Sequence, residues 1–101
     1  MLEVAVALPP RASLAGIEKI VEAECARAGL RLTLKGTLAA YPGCVHWHFK
    51  RGLERGALEI TFWKTEQRLW FKAAAGRTAR WMDEALPKLR RAIVKKLKSK
   101  R

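Results

Sequence analysis

The chain has 101 residues, room for one domain with one core and no more. Half of the residues are hydrophobic and 30% are charged, so the chain buries enough apolar surface to fold, which excludes a disordered tail. Against 9 acidic side chains stand 21 Lys and Arg, a net charge of +12, so a polyanion is the expected partner.

Leu2, Val4, Val6 and Leu8 alternate with Glu3, Ala5 and Ala7, the period of a half-buried strand, and Pro9-Pro10 ends it. This apolar stretch is too short, and too closely flanked by Glu3, for a signal peptide or a membrane span, so a cytoplasmic protein is expected. Ser13 is placed to cap a helix over 13–28 in which Leu14, Ile17, Val21, Cys25 and Ala28 fall three and four apart. Gly29 supplies its left-handed stop. The period then returns to two, with Leu30, Leu32 and Leu34 facing one way and Arg31, Thr33 and Lys35 the other. Three further strands, about 44–51, 57–64 and 68–74, are separated by linkers of turn composition. A last helix opens after Gly76 with Thr78 as candidate cap, and Pro87 inside it predicts a kink or break costing roughly 3 kcal/mol.

Composition divides the chain into one α+β domain over 1–94 and a basic tail over 95–101. Two cysteines, Cys25 and Cys44, are too few for a disulfide scaffold, and both are expected to be reduced thiols. The absence of Asn and the single Gln67 fit either high-GC bacterial coding or selection against heat-labile amides.

Read as an antiparallel meander, the four later strands collect Leu30, Leu32, Leu34, Val45, Trp47, Phe49, Leu58, Ile60, Phe62, Leu69, Phe71 and Ala73 on one face. That face must meet the helices. The other face gathers Arg31, Thr33, Lys35, Cys44, His46, His48, Lys50, Glu59, Thr61, Trp63, Arg68, Trp70 and Lys72. Pairing across the turns sets His48 opposite Glu59, His46 opposite Thr61, Lys72 beside Glu59, Trp70 beside Thr61 and Trp63 beside Arg68.

Two outward tryptophans admit three readings. As stacking platforms for bases, Trp63 and Trp70, with His46 and His48, would act beside Arg31, Lys35, Lys50, Arg68 and Lys72, which neutralise phosphates. As an interface, they would bury against a second copy of the chain. As ordinary surface, they would lie beneath the stems of Lys and Arg.

Charge by region favours nucleic acid. Residues 1–30 carry three basic and four acidic side chains, whereas residues 77–101 carry ten and two, a net of +8. Within that last stretch Lys88, Arg91, Lys95 and Lys96 are the expected phosphate contacts. Macrodipole complementarity, ~0.3 to 1 kcal/mol per cation, does not require so many. The expectation is therefore DNA or RNA binding without sequence preference, through the Trp-bearing face and the basic helix, with a homodimer or protein-interaction module as the alternative.

Cys44-x-His46-x-His48 places a thiol and two imidazoles on one strand face, with Glu59 across the strand pair as a further ligand. Without a second Cys or His cluster, and with a net positive surface, the sequence assigns no metal and no cofactor. No hydroxyl–histidine–carboxylate set, phosphate-cradling glycine loop or carboxylate pair can be assembled, so no enzyme is expected.

The order β-α-β-β-β-β-α resembles one repeat of the TATA-binding-protein-like fold. That resemblance covers the whole chain as topology and implies an antiparallel sheet with two helices behind it. It carries no residue motif and so no residue role. The double-stranded RNA-binding domain also pairs a sheet with a basic second helix, but has one strand fewer and a lysine cluster where this chain has Arg77-Thr78-Ala79-Arg80-Trp81-Met82.

Overall fold

The computed structural model describes residues 2–9, 12–73 and 80–99. It is an α+β fold in which β1 (Leu2–Val6), α1 (Leu14–Arg27), β2 (Arg31–Gly36), β3 (Val45–Lys50), β4 (Leu58–Trp63), β5 (Arg68–Ala73) and α2 (Arg80–Ser99) follow in that order. All strand pairs are antiparallel, and the spatial order β1-β5-β4-β3-β2 brings the first strand back beside the last.

Alternation decides what each face holds. Trp47, Phe49, Leu58, Ile60, Phe62, Leu69, Phe71 and Ala73 point inward and are buried with Ile17, Val21 and Cys25 of α1 and with Met82, Leu86, Leu89, Ile93 and Leu97 of α2. One apolar layer between sheet and helices is the main core. Ser13 caps α1 as its side chain accepts from the Gly16 amide at 3.0 Å, and Gly29 beyond its end takes φ +82°. Burial in this core pushes the Cys25 thiol up to about 12, with Glu24 and Glu22 adding to the effect.

α2 continues through Pro87 as one helix, so of the kink or break expected there the break does not occur. Pro87 lies on the solvent side, while Trp81, Met82 and Leu86 before it and Leu89, Ile93 and Leu97 after it are buried along one stripe. Each buried side chain of this kind contributes ~1.5 to 3 kcal/mol, enough to outweigh the proline cost. The Trp81 indole also donates to the Arg55 carbonyl at 2.8 Å, fastening the start of α2 to the β3–β4 turn. The helix continues through Lys95–Ser99 with Leu97 buried. Thr78, Lys100 and Arg101 lie outside the described residues. Among the described residues, no helix is long and apolar enough to cross a membrane.

The β4–β5 connection is a 3-10 turn over Lys64–Glu66. Gln67, the chain's one glutamine, closes it at φ 51°. Its side chain accepts from the Ala12 amide at 2.7 Å and donates to the Ala12 carbonyl at 3.2 Å and the Lys64 carbonyl at 3.0 Å. This side chain thereby ties the entry to α1 onto the far end of the sheet. Replacing Gln67 by Ala should cost about 1 to 3 kcal/mol in urea unfolding, because it orphans partly buried backbone groups. Leu53→Ala, at a fully exposed turn position, should stay within about 0.5 kcal/mol of the parent.

Candidate functional site

The outer sheet face has the register its alternation implies. His46 pairs with Thr61, His48 with Glu59, Glu59 with Lys72, Thr61 with Trp70, and Trp63 with Arg68. Arg31 and Lys50 form the end of this face, where the Arg31 guanidinium donates to the Gly52 carbonyl at 3.1 Å.

Lys35 does not belong to it. A bulge between Leu32 and Leu34 inserts Thr33 into β2, so Leu34 pairs with His48 on the outer face and Lys35 pairs with Trp47 on the helix side. The Lys35 ammonium reaches Glu18 at 2.7 Å and Glu22 at 2.6 Å on α1, and the Trp47 indole donates to Glu22 at 2.9 Å. Hydrogen bonding to the two carboxylates holds Lys35 above its ordinary range, and hydrogen bonding to Lys35 holds Glu22 below its own. Its expected place among phosphate contacts on the outer face is therefore corrected, as is the inward place expected for Leu34.

On the outer face Trp70 is buried and Trp63 is half-buried. Residues 37–44 double back through hydrogen bonds from Tyr41 N to Leu38 O at 3.1 Å and from Cys44 N to Tyr41 O at 3.0 Å. Gly43 sits at φ +82°, where a side chain would be strained. The Tyr41 ring meets Trp63 at 5.1 Å and Trp70 at 5.0 Å, both edge-on. The Trp63 indole donates to the Pro42 carbonyl at 3.0 Å, and the Arg68 guanidinium lies over Trp70 at 4.8 Å. Trp70 retains 5% exposure, which leaves no open ring for a base. Tyr41 is the residue that reading the strands alone misses. Its signal is the Tyr41-Pro42-Gly43 turn between two strands whose outer neighbours include two tryptophans.

Beside this covered patch His46, His48 and Glu59 converge. The Nε2 atoms of the two imidazoles lie 2.9 Å apart, and Glu59 Oε1 is 3.4 Å from that of His46 and 3.8 Å from that of His48. His46 Nδ1 is 2.8 Å from Thr61 Oγ1. Burial, then the neighbouring His48 ring, holds His46 below the usual histidine range, against the opposing pull of Glu59. Cys44 stands apart from the group, because its buried Sγ accepts from the Leu38 amide at 3.3 Å.

The remaining predicted contacts lie on the other side of the molecule. Lys88, Arg91, Lys95 and Lys98 recur along the face of α2 opposite its buried stripe, and all are exposed. Among the described residues, no carboxylate lies within salt-bridge distance of these four. Lys96 is likewise exposed on α2. A groove of about 380 Å³ beside Lys88 is lined by Glu24, Arg27, Arg51 and Glu84 as well, mixed in sign. The chain matches no protein-family model, no curated protein and no solved structure.

Removing the Tyr41 ring should open the patch. Tyr41→Ala should lose about 1 to 3 kcal/mol in two edge-on ring contacts, each ~0.5 to 1.5 beyond area burial. Indole emission should shift to the red and become more accessible to acrylamide.

Proposed function

We propose that the chain binds nucleic acid through backbone phosphates, without sequence preference, and that α2 makes the contact. The observation that carries this reading is the row Lys88, Arg91, Lys95 and Lys98, four exposed cations on one helix face. At ~1.5 Å rise per residue they span about 15 Å, enough to meet several phosphates of one strand. The net charge of +12 adds long-range attraction toward a polyanion. A cytoplasmic protein with no reaction of its own completes the proposal.

This reading leaves out the tryptophans and Lys35. Trp63 and Trp70 are engaged by Tyr41, and Lys35 by two glutamates. The outer cations Arg31, Lys50, Arg68 and Lys72 face away from α2, since sheet and helices meet through the opposite faces. One rigid ligand does not reach both.

The alternative partner is a second copy of the chain meeting the outer face, which Leu34, 48% exposed beside His48, favours. Light scattering separates the two readings. For the nucleic-acid reading, affinity for a short DNA or RNA probe should fall steeply between ~50 and 200 mM salt. Replacing Lys88, Arg91 and Lys95 together by Ala should reduce the slope of log affinity against log salt by roughly 2 to 3, at ~0.7 to 0.9 per phosphate contact. Arg68→Ala should leave that slope unchanged. Absence of binding at ~50 mM salt would refute the proposal.

A further inference from the structure

We propose that His46, His48 and Glu59 form a three-ligand site for a divalent transition-metal ion of zinc's class, with a fourth position open to solvent. The inference does not rest on the nucleic-acid reading, which concerns the other side of the molecule.

Geometry carries it. Separations of 2.9, 3.4 and 3.8 Å define a triangle whose centre lies about 2.0 Å from each corner, the length of a zinc–nitrogen or zinc–oxygen bond, ~2.0 to 2.2 Å. An ion raised about 0.7 Å from the plane of that triangle lies ~2.1 Å from both imidazole nitrogens and one carboxylate oxygen, and leaves a fourth tetrahedral position on its open side. Hydrogen bonding accounts for less of the arrangement. One imidazole can donate to the other across 2.9 Å, but 3.4 and 3.8 Å are long for bonds to Glu59. The mean of the three separations, about 3.4 Å, instead matches the edge of a tetrahedron around zinc, roughly 3.3 to 3.4 Å for bonds of ~2.0 to 2.1 Å.

Three features of the surroundings agree. Thr61 Oγ1 at 2.8 Å from His46 Nδ1 supplies the outer partner that fixes the ring and leaves Nε2 as the ligand atom. Thr61 is itself 2% exposed, so it is fixed by packing. The ligand side chains range from 6% exposure at His46 to 15% at Glu59 and 21% at His48, which opens the site on one side only. Three protein ligands with an accessible fourth position are the pattern of an exchangeable rather than a purely structural zinc site. Calcium and magnesium are poor fits, since they take oxygen ligands and this set supplies one carboxylate. The opposing charge is Lys72, cross-strand from Glu59, so the ion is held by coordination rather than by the field of the surface.

The probes are zinc and cobalt(II) added to chelator-treated full-length protein. One equivalent of zinc should bind per chain and raise the thermal midpoint, because the ion binds the folded state. In ring nitrogen spectra of the unaltered protein, zinc should move the Nε2 signals of both His46 and His48. His48→Gln and Glu59→Gln should weaken binding by more than the ~10- to 100-fold that loss of an outer partner costs, and Thr61→Val by an amount within that range. Cobalt should give a ligand-field spectrum without a thiolate charge-transfer band. The site would be overturned by no zinc binding, by zinc that leaves both histidine signals in place, or by a thiolate band that puts the ion on Cys25 or Cys44. Undiminished affinity in both ligand variants would do the same, and the spectra of the unaltered protein decide the matter if those variants fail to fold.

Discussion

Burial of the apolar face of β3, β4 and β5 fixes a register from which the rest of the molecule follows. Trp47 must oppose Ile60, and Ile60 must oppose Phe71, for the three strands to present one closed surface to α1 and α2. A slip by one residue would turn this whole set outward. With the inner face settled, the outer neighbours have no freedom left. His46 falls beside Thr61, His48 beside Glu59, and Thr61 beside Trp70, whatever their own affinities. A polar constellation on one side of the sheet is thus positioned by packing on the other.

The same constraint explains which parts of the fold could be read in advance. Strands β3 to β5 alternate cleanly, and their faces, partners and register were all legible in the residue pattern. β2 misled because Leu30, Leu32 and Leu34 keep the period through a bulge that local sequence does not announce. Only the attraction between Lys35 and the Glu18–Glu22 pair, a contact between distant segments, reveals why the turn of phase is favoured. Pro87 does not break α2, because the buried residues on either side of it outweigh its local cost. Of the polar cluster, both imidazoles and Glu59 were visible as same-face neighbours. Cys44 was drawn in by spacing alone, and its commitment to the Leu38 amide depends on a loop that period does not describe.

Tyr41 links the covered and the open halves of the outer face. By inserting an edge against both Trp63 and Trp70 it converts apolar surface into a second, minor core, with Cys44 buried beneath the same loop. The tryptophans thus have a structural explanation, and the cations around them no longer need a ligand to account for their company. The exposed charge on α2 has no such explanation, since its row stands clear of carboxylates among the described residues. Two surfaces with different chemistry, one cationic and one ligating, therefore occupy opposite sides of a single layer of core.

The bulge at Thr33 has a further effect on how the molecule meets its own copies. β2 is an outer strand of the sheet, all six of its residues are exposed, and Leu32 and Leu34 would make it attractive to another chain's strand. Thr33 breaks the even spacing of its backbone groups, and its hydroxyl donates to the His48 carbonyl at 3.2 Å. Lys35 is drawn toward α1 just beyond. An incoming strand would find neither a straight edge nor a repeating row of donors and acceptors. The irregularity that rearranges two side chains therefore also makes this apolar border a poor template for a further strand.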